Sequence, residues 1–164
     1  GVRIELLCGG RAYRYLSACS AQDVAAAQAL SVKPTASAAA VERLQGELSA
    51  LKLRCAKLEE SVFAGVAARY AGSGDGLLFE DEMSGDSARR LCDAVAETCG
   101  GRCAVFAGAG SAWKYAIGQR GGDLRALTKE LNAALSGRGG GKPEFVQGSV
   151  GAERGAIEAF FAEK

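Results

Sequence analysis

Two short apolar stretches, residues 103–109 (CAVFAGA) and residues 113–119 (WKYAIGQ), decide the fold class. Each has the length of a typical β-strand and is rich in residues that pack well in sheets, so each predicts a strand. The pair Gly100-Gly101 precedes the first stretch and is expected to end a helix. Strand patterns alternate with helical patterns on both sides of these stretches, which indicates an α/β layered domain with a central sheet.

The remaining elements of this domain, placed at residues 76–164, follow from the same patterns. Further strands are predicted at 77–83 (LLFEDEM) and 144–150 (EFVQGSV), and helices at about 87–98, 124–135 and 152–162. Ser84 or Asp86 is expected to cap the first of these helices and Asp123 the second. The inward stripe of the second helix is expected to be Leu124, Leu127, Leu131 and Leu135, and that of the last helix Ala156, Ile157, Phe160 and Phe161.

The N-terminal part of the chain has a different organisation. Residues 1–16 are interpreted as an exit strand and linker from an upstream domain, because VRIELLC at 2–8 is a strand pattern that Gly9-Gly10 ends. The chain begins without methionine, so we expect a fragment of a longer polypeptide. Residues 17–71 are interpreted as a helical arm, a possible coiled-coil hairpin, in which Pro34 separates two helices and Thr35 is a candidate N-cap.

The second helix of this arm carries a narrow apolar seam with alternating spacings of three and four residues. The spacing persists for three heptads, which predicts a helix with one narrow apolar face that can pack against another helix. Two interpretations remain open: the seam packs within its own chain, or it pairs with a second copy to form a homodimer. The seam positions are Val41, Leu44, Leu48, Leu51, Cys55, Leu58 and Val62.

Composition and charge limit the classes of partner. The chain has 164 residues, of which 48% are apolar and 24% charged, and a formal net charge of +1. No long apolar run or signal peptide is visible, so we expect no membrane contact and a cytoplasmic location. Charge is uneven, however: residues 75–97 hold seven acids and two bases, and residues 102–142 hold seven bases and two acids. A polyanionic partner would therefore meet a local basic region.

The chain contains no histidine, which excludes Ser-His-Asp and Cys-His chemistry and leaves no catalytic residues to propose. The six cysteines form no CxxC pair, so reduced and mostly buried thiols are expected and no metal site is predicted. A cluster of acids is the remaining candidate for metal binding, and a solvated strand end is its simpler interpretation. The cluster comprises Glu80, Asp81, Glu82 and Asp86.

Residues 136–143, SGRGGGKP, form a glycine-rich segment with two cations. A phosphate-binding P-loop would need glycine at Ser136 and a hydroxyl at Pro143, so that motif is absent. We predict a loop that follows a helix and enters a strand. Its glycine amides could approach an anion beside Arg138 and Lys142, or the segment could be a plain connector.

The segment GRGGGKPEFVQGSV at 137–150 resembles the glycine-rich signature of the C-terminal domain of alanyl-tRNA synthetases, a domain related to the DHH-associated domain of phosphoesterases. The stretch VRIELLCGGRAYRYL at 2–16 resembles the exit from the editing domain of these synthetases and, more closely, of the longer AlaX editing proteins. The heptad helix fits the arm that joins the two domains in this family. The resemblance covers essentially the whole chain.

This resemblance implies a non-catalytic portion that binds tRNA and dimerises, in a parent protein that is an aminoacyl-tRNA deacylase or an alanyl-tRNA synthetase. The histidine-bearing signature of the phosphoesterase relatives is absent, and the zinc of the editing reaction would belong to an upstream domain. Trp113 and Tyr115 could stack on bases, with core packing as the alternative, and Gln147 could read a base edge or simply serve its strand. The candidate nucleic-acid contacts are Arg138, Gly139, Gly140, Gly141, Lys142, Gln147, Lys114 and Arg120. The alternative function is an assembly module without nucleic-acid contact.

Overall fold

The computed structural model describes residues 2–163. Gly1 and Lys164, the outer ends of the predicted ranges 1–16 and 76–164, lie outside the described residues. The chain divides into two compact units, one ending at Cys55 and the other beginning at Ala56. No helix in the described part of the chain combines the length and the apolar character needed to cross a bilayer.

The first helix begins earlier than the sequence predicts. Residues 2–8 have no regular secondary structure, and helix α1 spans Gly9–Ala29. The strand predicted at 2–8 and the break at Gly9-Gly10 are therefore wrong. Residues 2–8 pair with no other strand in the described chain. Because an isolated strand is unstable in water, their alternating pattern does not produce a strand here.

The connection after α1 is a tight turn built around Pro34. Leu30 ends the helix, and a short 3-10 helix, Pro34–Ala36, leads into helix α2 at Ser37–Arg69. The Ser37 hydroxyl lies 2.5 Å from Asp23 Oδ1 and 2.9 Å from Pro34 O, which ties the end of α1 to the start of α2. Thr35 lies inside the 3-10 helix, so its prediction as an N-cap is wrong.

Helix α2 confirms the predicted heptad helix and continues through Gly65 to Arg69. Its apolar seam is open to solvent: the exposed fractions run from 43% at Leu44 to 62% at Val62, and Cys55 is also exposed. The interpretation that the seam packs within the described chain is therefore wrong. A different stripe of α2 is buried, since Phe63 and Ala67 join the core of the second unit.

The second unit confirms the predicted α/β class. Its mixed sheet has the strand order β1-β2-β3-β5-β4, with β1 parallel to β2 and the other pairs antiparallel. Helix α3 crosses between the two parallel strands, as parallel pairing requires. The strands are β1 Gly74–Glu80, β2 Gly100–Ala109, β3 Ala112–Gln119, β4 Arg138–Lys142 and β5 Phe145–Val150. The helices are α3 Gly85–Ala96, α4 Arg125–Ala134 and α5 Arg154–Ala162.

The sheet separates two hydrophobic clusters. On one face, α3 and the end of α2 pack against β1, β2 and β3, with Leu91, Val95 and Val105 at the centre. On the other face, α4 and α5 supply Leu131 and Ile157. Helix α3 packs mainly on β2 and β3, and on the same side of the sheet Phe145 of β5 is half-buried while Gln147 and all of β4 are exposed.

The helix caps follow the sequence in part. Ser84 is the N-cap of α3, and its hydroxyl accepts a hydrogen bond from Ser87 N at 3.0 Å, as predicted. Leu124, not Asp123, is the N-cap of α4, although Asp123 Oδ1 still accepts from Arg125 N at 3.1 Å. The predicted stripe of α4 is buried or half-buried. In α5 only Ile157 is fully buried, and Ala156 is exposed, contrary to the prediction.

Candidate nucleic-acid interface

The glycine-rich segment is a strand, which corrects the prediction of a loop or connector. Residues Arg138–Lys142 form β4 at the edge of the sheet, and all five are exposed. Strand β4 pairs antiparallel with β5 through a turn at residues 143–144. The register joins Arg138 to Ser149, Gly139 to Gly148, Gly140 to Gln147, Gly141 to Val146 and Lys142 to Phe145.

The three glycines of β4 have different structural roles. A Cβ at Gly139 would collide with the Tyr115 hydroxyl and lie 2.5 Å from Gln147 O, and one at Gly141 would collide with Phe145 O. These two glycines allow β4 to approach the neighbouring strand closely. At Gly140 an added Cβ would meet nothing within 4 Å, so the fold does not require glycine there. The open backbone at Gly140 therefore faces free space.

Strand register gathers most of the predicted contact residues on one surface, here named the β5–β4 face. Side chains alternate along a strand, so every second residue of β3, β5 and β4 shares this face. The three rows across the strands are Lys114, Ser149 and Arg138; Ala116, Gln147 and Gly140; and Gly118, Phe145 and Lys142. Gln147 is exposed in the middle row, with a cation on each side of Gly140 along β4.

The cations of the β5–β4 face have no acidic partner in the part of the chain that the structure describes. Within residues 2–163, no ion pair involves Arg138, Lys142 or Lys114. Every other arginine between Gly74 and Ala162 pairs with a carboxylate. An unpaired guanidinium on an exposed edge strand is free to bind an external anion. The face is therefore locally cationic although the chain is almost neutral.

Arg120 differs from the other predicted contacts. Its guanidinium binds Asp93 Oδ1 of α3 at 2.8 Å and also the carboxylate of Glu97, the C-cap residue of that helix. These carboxylates already neutralise the charge that was expected to meet nucleic acid. The role of Arg120 in binding stays a prediction.

Trp113 and Tyr115 belong to the core, which makes the base-stacking interpretation wrong and confirms the alternative. Both side chains are buried on the opposite face of β3 from Lys114. Trp113 Nε1 donates to Gly110 O at 2.9 Å. Burial raises the pKa of Tyr115, so its hydroxyl stays protonated. The alternation of Lys114 between two aromatic residues was the sequence signal that places both rings inside.

The structure also identifies a residue that sequence reasoning missed. Asn132 of α4 accepts a hydrogen bond from the Tyr115 hydroxyl at 3.2 Å and donates from Nδ2 to Gly139 O at 3.1 Å. Asn132 therefore ties the edge strand to α4 and β3. No sequence motif marks it, because the contact depends on the register of β4.

A cavity of about 330 Å³ opens beside the middle of the β5–β4 face. Gly140, Lys142 and Gln147 contribute the sheet side, and Arg89 and Asp93 of α3 contribute the wall. Phe145 lies half-buried in it, above the space left by Gly118. The cavity offers polar groups around a small apolar floor.

The remaining candidate chemistry of the sequence is not assembled in the fold. Within residues 2–163 no group of three or more histidine, cysteine or acidic residues could hold a metal ion, so the acids at 80–86 form no such site. The prediction of mostly buried cysteines is wrong, because only half are buried: Cys8, Cys19 and Cys55 are exposed, and Cys92, Cys99 and Cys103 are buried. A hydrogen bond with Cys103 and burial raise the pKa of Cys92, which keeps this thiol protonated.

The comparisons with known proteins find similarity among solved structures. No protein-family model and no curated protein sequence matches the chain. The C-Ala domain of alanyl-tRNA synthetase from Aquifex aeolicus is similar with a TM-score of 0.46 and 18% sequence identity, over 52% of this chain and 85% of that domain. Likeness at this level does not establish membership of a family.

Proposed function

We propose that this chain binds tRNA through the β5–β4 face, as the non-catalytic C-terminal portion of a protein related to alanyl-tRNA synthetases. The observation that carries the proposal is the gathering of Arg138, Lys142, Lys114 and Gln147 on one face of the sheet, where all four are exposed. The glycine-rich signature that resembles this family contributes most of that face. The chain would act in the cytoplasm and would leave chemistry to another domain.

The spacing of the cations suits a nucleic-acid strand. Arg138 and Lys142 are four residues apart on an extended strand, so their Cα atoms are separated by about 13 Å. Two side chains at that separation can contact different phosphates of one strand. The bare backbone at Gly140 lets a phosphate or ribose approach between the two charges, and Gln147 can bond a base edge or a 2′-hydroxyl.

The parent activity expected from the resemblance is hydrolysis of mischarged tRNA at a zinc centre in an upstream domain. The residues of this chain do not fit such a centre, since histidine is absent from the sequence and the described residues contain no group of suitable ligands. No step of that reaction is assigned to this chain. Its part would be to hold the body of the tRNA.

Fluorescence anisotropy with labelled tRNA tests the proposal. Arg138→Ala combined with Lys142→Ala should weaken binding by roughly tenfold at about 50 mM salt, because two phosphate contacts are lost, and should flatten the salt dependence. Lys57→Ala combined with Lys129→Ala is the matched control, since it removes two cations that lie off the face. No binding by the wild type at low salt, or equal losses in the two variants, would refute the proposal.

A second function, pairing of two copies through α2, is favoured by the exposed seam. The seam leucines, which stay 43–60% exposed in the folded chain, gain stability when a second helix covers them. Analytical ultracentrifugation of the wild type should show a dimer that Leu48→Glu with Leu51→Glu converts to a monomer. Ala50→Glu with Leu53→Glu is the control, because both residues are exposed on the other side of α2. A monomeric wild type contradicts this function.

A further inference from the structure

A second cavity, of about 540 Å³, lies at one end of the β5–β4 face. It opens where the β2–β3 turn, the start of β4 and the end of β5 come together. Its polar lining consists of two cations and three hydroxyls: Lys114, Arg138, Ser111, Ser136 and Ser149. Among residues 2–163, no acidic side chain lines it, so the cavity favours an anion over a cation or a neutral ligand.

Strand register brings the two cations toward one point. Lys114 pairs with Ser149, and Ser149 pairs with Arg138, so the three form a single row across β3, β5 and β4. The Cα atoms of Lys114 and Arg138 are therefore two strand spacings apart, about 10 Å. Long side chains at that separation can reach one anion placed above Ser149.

The hydrogen-bond donors of this cavity have no partner among the described residues. In the chain between residues 2 and 163, no hydrogen bond or ion pair engages the three hydroxyls, the Lys114 ammonium or the Arg138 guanidinium. The site is also supported from behind, because Trp113 is buried and its indole N–H is bonded to Gly110 O. The stem of Lys114 packs over Gly85, where an added Cβ would lie 3.0 Å from Lys114 Cδ.

The backbone of Ser136 has a conformation that is unusual for serine. It follows the end of α4 with a φ of 51°, a left-handed conformation that usually selects glycine at this position after a helix. The fold alone therefore does not favour serine here. The serine places a hydroxyl at the cavity that glycine would lack.

We propose that Lys114, Arg138 and Ser149, together with the hydroxyls of Ser111 and Ser136, form a binding site for a phosphate group. Tetrahedral oxyanions accept several hydrogen bonds, and an arginine with a lysine and hydroxyl donors matches that demand. The inference rests on the proposed function in one respect: the phosphate group is that of a nucleic-acid strand. The site itself requires only the shared chemistry of phosphate.

The test is a titration of the isotope-labelled full chain with inorganic phosphate, followed by amide NMR at constant ionic strength set with chloride. The amides of Ser111, Ser149 and Gly151 should shift saturably. Lys114→Ala with Arg138→Ala should abolish the shifts, and Ser149→Ala should weaken the affinity by roughly three- to tenfold. Lys129→Ala is the control that should leave the affinity unchanged. Shifts that do not saturate, or that centre on Lys142, would overturn the site.

Ser136→Gly separates a binding role from a structural one. Glycine relieves the left-handed backbone, so the urea midpoint should rise while phosphate affinity falls. A rise in stability with unchanged phosphate affinity would remove Ser136 from the site.

Oligoribonucleotides with and without a 5′-phosphate distinguish the sources of the group. Equal shifts with both identify an internal phosphodiester, larger shifts with the phosphorylated strand identify a terminal phosphate, and no shift at these amides with either rejects a nucleic-acid source. If the wild type binds tRNA without shifting these amides, the phosphate site fails and the proposed function stands. If inorganic phosphate binds here and tRNA does not bind at all, the site stands and the proposed function fails.

Discussion

The two edges of the sheet handle charge in opposite ways. At the β1 edge, Arg102 Nη2 binds Asp75 Oδ2 at 2.8 Å, and Arg154 lies 4.4 Å from the centre of the Phe79 ring while it also pairs with Glu158. At the β4 edge, Arg138 and Lys142 have no carboxylate partner within residues 2–163. Charges at the first edge serve the fold, and charges at the second are left for a ligand. Net charge therefore conceals where a partner can bind.

Among substitutions at the β4 edge, those of its glycines should have the largest effect on stability. Gly139→Ala should lower the free energy of unfolding by about 1–3 kcal/mol, because the new methyl group collides with Tyr115 and the β5 backbone. Gly140→Ala should change it by less than about 0.5 kcal/mol, since its side has open space. Urea unfolding of both variants measures the difference. Equal losses would show that the edge is packed alike along its length.

Strand β4 is attached to the rest of the domain partly through the hydrogen bonds of Asn132. Asn132→Ala should destabilise the chain by about 1–2 kcal/mol, because it leaves the buried Tyr115 hydroxyl and Gly139 O without their partner. Tyr115→Phe, combined with Asn132→Ala in a double-mutant cycle, isolates the coupling. Fully additive effects in denaturant unfolding would mean that Asn132 does not act through Tyr115.

A smaller effect is expected from releasing Arg120, the cation that the fold has already neutralised. Asp93→Asn with Glu97→Gln removes its two partners and two negative charges beside the β5–β4 face. Affinity for tRNA at low salt should rise by about two- to fivefold. Asp81→Asn with Glu82→Gln, which changes two acids that follow β1 at the opposite edge of the sheet, controls for a general change of charge. An affinity that falls would contradict the cationic face.

The smallest effect lies at the exposed pair of Asp123 and Arg125. Hydrogen bonds from the Arg125 side chain and backbone lower the pKa of Asp123 to about 2. The stabilisation is present above the ordinary pKa of an aspartate, near 3.9, and is lost as the pH falls through about 2. Carboxyl NMR titration should show this low midpoint, and Arg125→Ala should return it toward the ordinary value. An ordinary midpoint in the wild type would exclude the pair.

The sequence predicts individual strands and helix caps well, but it predicts poorly which segments pair as strands in the sheet. The stretches at 103–109 and 113–119 and the cap at Ser84 carry their own signals, and the structure confirms them. The strand β4 has no such signal, because glycine disfavours strands and hides the alternation that places Arg138 and Lys142 on one face. At residues 2–8 the reverse holds: the sequence has a strand pattern, but no strand forms because the segment has no pairing partner in the described chain.

The candidate site shows the same division. Arg138, Lys142 and Gln147 were predicted as contacts from the glycine-rich signature, and Lys114 joins them in space through strand register. Ser149 and Asn132 were missed, because their positions depend on which residues of β3, β5 and β4 lie opposite one another. Whether these residues bind nucleic acid stays a prediction.

Strand β4 has one more consequence, for association between copies of the chain. A free sheet edge is a template on which another strand can add, and proteins discourage this with short edges and charged side chains. Strand β4 is five residues long and has a cation at each end. A second copy would bring its own Arg138 and Lys142 against the same positions and be repelled. The edge that is open to a polyanion is thus closed to edge-to-edge aggregation.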